Sequence, residues 1–323
     1  MPGSSPHGPP KLPELSPDPR ARRAGVQLVV ASVFFGLMAV GTKALAGTMS
    51  GPQVALLRMV FGVLLFAGLA LRQPEIVRVS RPGWLAARGL FGGAAVLLYF
   101  VSIERVGVGL ATLVHYSAPI WAALLGSLVL SESVARLTRV AMVVALAGVT
   151  LVMAPALTLA WQQGTTGAIG VGWYFVSLAS AVVSAAALVS ARAGRREVAR
   201  VGARAPDGTL TLFGGFSVFG ALAAAPFALP PLGTWVWPTP KLWALVVGVS
   251  VVSALAQLLM TTALAHASAA APGVANQLSV VIASMGGVLF FDETLDAWAF
   301  AGAALIMTGV LLNVRAASPV RPR

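Results

Sequence analysis

The apolar stretch Val106 to Glu132, VGVGLATLVHYSAPIWAALLGSLVLSE, carries a histidine, a tyrosine, a proline and a tryptophan: His115, Tyr116, Pro119 and Trp121. An imidazole changes charge near physiological pH, and an ionisable group inside hydrocarbon is a functional candidate by default. The same His115 also reads as a neutral ring bonded to a carbonyl or hydroxyl between helices. Tyr116 either offers its hydroxyl to a solute or fills space between helices. Pro119 removes a backbone donor, which loosens or kinks a helix one turn past His115 and frees a carbonyl. Such a kink shapes a cavity or is packing geometry alone. Trp121 could cap or stack on a ligand.

A second stretch, Ala267 to Glu293, echoes the first at an offset of 161 residues, placing Asn276 under His115 and Gln277 under Tyr116. These amides, with Gln257, hydrogen-bond without titrating, either lining a cavity or bonding helix to helix at roughly 0.6 kcal/mol each. Arg58 lies so deep that a lipid-facing position would cost several kcal/mol, so it faces protein, water or a carboxylate. Lys43 stands near a helix end, where it either binds or snorkels to the interface. No acidic residue falls well within an apolar run; Glu104 sits at a turn. The charges of Lys43, Arg58 and His115 therefore suit a carboxylate-bearing substrate, zwitterionic or anionic, better than a lipophilic cation. Glu132 and Glu293 end their helices at opposite faces and read as loop locks, Glu132 with Arg136 one turn on.

The elements that carry these residues are membrane helices. With 58% hydrophobic residues, 10% charged and a mean hydropathy of +0.86, the chain lies outside the globular balance. Its apolar runs do not alternate as barrel strands would, and they are long enough to span roughly 30 Å as helices. Ten spans result, at about 26–46, 52–71, 84–103, 107–130, 137–155, 169–191, 209–229, 241–264, 269–291 and 298–314. His115 then lies roughly 13 Å into the fourth, near the midplane. The first run is too long for a signal-peptide core and is read as a retained span. Residues 1–24, rich in proline and carrying Arg20, Arg22 and Arg23, read as a disordered basic tail. The absence of cysteine excludes disulfides and thiolate chemistry.

The net charge of +12 marks cytoplasmic loops beside anionic lipid, not nucleic-acid binding. With the N-terminus inside, 18 of the 22 Lys and Arg fall on the cytoplasmic side, and only Arg105 and Lys241 fall outside. Both termini are therefore expected in the cytoplasm. Five spans per half is an odd number, so the second half enters the membrane inverted. The pairs Gly126/Gly287, Leu128/Leu289, Glu132/Glu293, Gly148/Gly309 and Val149/Val310 carry the echo. Inverted repeats of this kind place a substrate site near the midplane, between the halves. Gly92, Gly93, Gly107, Gly109, Gly286 and the small residues of 179–191 allow close helix approach, whether for packing or for sliding.

FFGLMAVGTKAL in span 1, the arginine of LLRMVFG in span 2, the block ATLVHYSAPIWAALLGSLVLSE and its counterpart LSVVIASMGGVLFFDETLDAWAFAGAALIMTGVLL resemble the EamA-type permeases of the drug/metabolite transporter superfamily. The resemblance runs from Val26 to Val314. It departs at Val280, where a proline is expected opposite Pro119, and at Gln277, where an aromatic is common. The resemblance implies a solute exporter or exchanger of the inner membrane, acting on amino acids, other small metabolites or drugs.

The expectation is thus an all-α polytopic membrane protein: ten transmembrane helices in two inverted five-helix repeats, termini cytoplasmic. Its parts are a tail over 1–24, repeats over 25–156 and 157–316, and a tail over 317–323. It is expected to be a secondary transporter of small organic solutes, a monomer or homodimer in the bilayer, with protons as a candidate coupling ion and neither metal nor cofactor. No P-loop, HExxH or intramembrane aspartate pair points to ATP hydrolysis or membrane enzymology. A polytopic enzyme and a non-transporting receptor or scaffold are the alternatives.

Overall fold

Hydrocarbon offers no partner to a free amide or carbonyl, so an apolar chain crossing it closes its hydrogen bonds within helices. A computed structural model describes residues 19–130, 136–163, 165–201, 207–263 and 271–317. They form α1 (Pro19–Leu45), α2 (Gly51–Ala70), α3 (Pro82–Val106), α4 (Val108–His115), α5 (Ala118–Leu130), α6 (Arg136–Gln163), α7 (Thr165–Val201), α8 (Thr209–Ala228), α9 (Pro240–Ala263), α10 (Ala271–Phe291) and α11 (Ala297–Ala317). A 3-10 turn lies at Pro74–Val77. Among the described residues, nine stretches are long and apolar enough to cross a membrane, α4 and α5 counting together as Val108–Leu130. Ala275–Phe291 is a shorter tenth. The chain is a multi-pass, all-helical membrane protein.

Several helices outrun their apolar runs. α1 begins at Pro19, and α6 and α7 span 28 and 37 residues. Alanine, arginine, glutamine and glutamate beyond the apolar core are good helix formers, so the helix continues where the hydropathy signal has stopped. Hydroxyls inside spans bond back to their own helix, as Ser32 does to the Leu28 carbonyl and Thr42 to that of Met38, both at 2.8 Å.

The helices pack with two-fold logic. α2 lies against α8 and α6 against α11, each pair joining equivalent members of the two five-span sets. α1 packs on α9 and α10, while its counterpart α7 packs on α3 and on the α4–α5 span. At the α6–α11 contact a Cβ on Gly148 would lie 2.7 Å from the Gly302 carbonyl oxygen, and one on Gly309 would lie 2.7 Å from that of Ala141. Gly148 and Gly309 are partners in the sequence echo, and both serve this one interface.

The connections gather at two ends. At one, the Glu104 carboxylate accepts from the Gly51 amide at 2.7 Å and starts α2, while Gln53 exchanges hydrogen bonds with the backbone of Val236. At the other, Asp207 accepts from the Ser80 amide at 2.6 Å and Thr211 donates to the Ile76 carbonyl at 2.8 Å. One buried cluster forms around Val54, Phe100, Ile103 and Val249, and a second around Val114, Tyr116, Val280 and Ile306.

Candidate functional site

The fourth span is broken in its middle. α4 stops at His115; Tyr116 has φ −78° and ψ 7°, and α5 starts at Ala118. Pro119 has no amide to give the His115 carbonyl four residues back, so the ladder cannot run through. The chain instead tightens: the Ser117 amide reaches the Val114 carbonyl at 3.1 Å and the Ile120 amide reaches that of Ser117 at 3.0 Å. The Ser117 hydroxyl donates to the Val114 carbonyl at 2.7 Å and accepts from Trp121 Nε1 at 3.2 Å. Asn313 of α11 donates to the Pro119 carbonyl at 3.3 Å. The expected kink is a two-residue interruption tied on both sides, and Trp121 is half-buried beside it.

His115 sits at this break with partners from two other spans. Its ring stacks on Tyr99 of α3 with centroids 4.3 Å apart and planes at 17°, and its Nδ1 lies 2.9 Å from the Ser180 hydroxyl of α7. Ser180 in turn donates to the Ser177 carbonyl at 2.6 Å. Tyr116 meets the His115 ring edge-on at 5.2 Å. It is buried and turns its hydroxyl toward Ser279 of α10.

Arg58 is buried within the bundle, as its depth demanded. Nε donates to the Ser253 hydroxyl of α9, and the guanidinium lies 5.9 Å from the Phe100 ring centre and 5.6 Å from that of Phe216. Its Nη1 is buried without a hydrogen-bond partner among the described residues.

α10 supplies the opposite polarity. Gln277 is buried, with Nε2 donating to the Gly273 carbonyl at 3.1 Å. Gln277 Oε1 and Asn276 Oδ1 are buried acceptors without partners among the described residues. Gly273 faces Pro119, since a Cβ there would lie 3.8 Å from the proline Cβ. α10 itself runs unbroken through Val280, which packs among Val114, Tyr116 and Ile120. Gln257 is buried on α9, one turn past Ser253.

Lys43 stands apart from this cluster. It pairs with Glu293 at 3.3 Å, in the link between α10 and α11. Glu132, read as the matching lock, lies outside the described residues. Trp235 packs against the first cluster with its Nε1 buried and unpartnered among the described residues. Tyr99, Ser180 and Phe216 belong to the site although no local signal marked them. Around the break, α2 thus carries a buried cationic fork and α10 two buried amide oxygens without partners among the described residues.

Comparison with known proteins agrees with this architecture. The chain is 28% identical over 295 residues to the pseudopaline exporter CntI of Pseudomonas aeruginosa, covering 90% of this chain and 95% of that protein. It is 26% identical to an uncharacterized transporter of Helicobacter pylori, covering 89% of this chain and 93% of that protein. A crystal structure at 19% identity, covering 91% of this chain and 97% of the other, shares the fold at a TM-score of 0.60. The EamA-like transporter family matches at residues 23–154 and again at 171–315, and with both halves accounted for the chain belongs to that family.

Proposed function

We propose that this chain is a secondary transporter that exports or exchanges a small organic solute bearing a carboxylate, by alternating access around a midplane site between its two repeats. The observation that carries the reading is a set of orphan groups inside the bundle: the buried Nη1 of Arg58 on α2 and two buried amide oxygens on Asn276 and Gln277 of α10, none partnered among the described residues. Leaving a buried polar group unmade costs about 1–3 kcal/mol, which a solute of complementary polarity recovers on binding. The carboxylate goes to Arg58, whose planar fork suits it, and an amino or amide group goes to the oxygens on α10. Tyr116 and His115 bridge the two ends, with Trp121 and Gln257 at the margin and Pro119 holding the break open. Lys43, already paired with Glu293, is left out of the binding set. Export is favoured by the likeness to the pseudopaline exporter.

The test is flux in liposomes reconstituted with the full chain. Preloaded vesicles exchange labelled amino acids or carboxylic acids across the membrane, and Arg58→Gln abolishes the exchange. Movement of a cationic dye with no movement of any carboxylate overturns the reading.

A further inference from the structure

Glu293 gathers more donors than a loop lock needs. Its Oε1 accepts from the Val108 amide at 2.8 Å and pairs with Lys43, while its Oε2 accepts from the Gly109 amide at 3.1 Å. One carboxylate of the second repeat thereby caps α4 and holds α1, both of the first repeat. The surroundings are shaped for it. Gly107, before the capped turn, has φ +105°, and a Cβ there would lie 2.8 Å from Oε1. A Cβ on Gly287 would meet Oε2 at 2.5 Å.

From the capped turn a chain of contacts runs inward. The Val108 carbonyl accepts from the Thr112 hydroxyl at 2.6 Å, and the Thr112 oxygen lies 2.7 Å from the Tyr99 hydroxyl. Because Thr112 gives its single proton to Val108, Tyr99 is the donor between them. Tyr99 then carries the His115 ring by stacking. We propose that Glu293, Thr112 and Tyr99 are positioning residues of one coupled unit, in which the Lys43–Glu293 latch and the setting of His115 rise and fall together. Occupation of the site that moves His115 is felt at the latch, and release of the latch unseats His115. This rests on the reading of His115 as a site residue, although the latch is measurable without any substrate.

The natural chain has no cysteine, so Ser284→Cys provides a reporter. Ser284 lies under the latch, its Cα 3.3 Å from where a Gly109 Cβ would stand. The maleimide labelling rate of the detergent-purified full chain is measured with Glu293→Gln, Lys43→Met, Tyr99→Phe or Thr112→Val added. Glu293→Gln and Lys43→Met speed labelling about tenfold, the scale of one charged hydrogen bond. Tyr99→Phe and Thr112→Val, which keep the bulk of their side chains, speed it about threefold, while a control cysteine at Ser127 keeps its rate. Unchanged labelling in the Glu293 and Lys43 variants overturns the latch. Unchanged labelling in the Tyr99 and Thr112 variants, or equal acceleration at Ser127, overturns the coupling. Absence of carboxylate flux with these labelling shifts present removes the proposed substrate class and leaves the coupled unit standing.

Discussion

His115 donates from Nδ1 to Ser180, across 65 residues of sequence and at 2.9 Å in space. The direction follows from Ser180, whose one proton goes to the Ser177 carbonyl at 2.6 Å and leaves its oxygen as the acceptor. The proton on Nδ1 makes Nε2 the acceptor edge of the ring. With Tyr99 stacked on one face, that edge is the one the proposed function assigns to a solute donor.

Ser180→Ala therefore removes an acceptor, not a bulk contact. It leaves the Nδ1 proton unmet and the ring free to turn, which raises KM for the carried solute by roughly three- to tenfold, the scale of one net hydrogen bond, with Vmax nearly unchanged. His115→Leu keeps an apolar partner for Tyr99 but loses the edge, and reduces flux by more than Ser180→Ala does. Initial rates in liposomes separate the two; a His115→Leu variant with full flux at every pH removes His115 from the site.

Arg58 tests geometry against charge. Lysine keeps the cation but cannot lie flat against Phe100 and Phe216 while also reaching Ser253 and a solute. Arg58→Lys is expected to raise KM about tenfold for a carboxylate, losing one arm of a bidentate contact, while Arg58→Gln stops transport. Equal KM for Arg58→Lys and the natural chain refutes the fork.

The sequence made some of this legible and hid the rest for a physical reason. Pro119 announces its break because a missing amide acts within one turn, and Arg58 announces its burial because hydrocarbon forbids the alternative. The ten spans follow from hydropathy in the same local way. Tyr99, Ser180 and Phe216 gave no such notice, since a tyrosine, a serine or a phenylalanine in a span is ordinary until another helix is placed beside it. Ser180 in particular read only as one small residue among many in 179–191. Lys43 and Glu293 were visible singly, but 250 residues separate them and only the fold joins them. The echo aligned His115 with Asn276, yet equivalence under a repeat is not contact, and His115 takes its partners from α3 and α7 instead.

The asymmetry between the repeats makes its own prediction. α10 stays continuous because Val280 replaces the proline and is 4% exposed among Val114, Tyr116 and Ile120. Val280→Pro would break α10 and void that packing, at a cost of about 3 kcal/mol or more and a fall in the thermal midpoint. Pro119→Ala does the reverse, letting residue 119 bond the His115 carbonyl. Its midpoint rises while turnover falls, because the break that exposes the site has closed. A Pro119→Ala protein with higher midpoint and undiminished turnover refutes a functional role for the break.

The contact between α6 and α11 separates packing from flexibility. A Cβ on Gly148 would lie within 3 Å of the Gly302 carbonyl oxygen, the Ile306 amide and the Ile306 side chain, two of them backbone atoms that no rotamer change can move. Gly148→Ala is therefore expected to cost about 1–3 kcal/mol by overpacking. Gly68, toward the end of α2, has nothing within 4 Å of its hypothetical Cβ. There the same substitution removes only glycine's conformational freedom in a helix and stabilises by roughly 0.5–1 kcal/mol. Thermal midpoints of the two variants, measured in one detergent, should move in opposite directions. If Gly148→Ala leaves the midpoint unchanged, the two helices are not in backbone contact and the pseudo-symmetric seam between the repeats lies elsewhere.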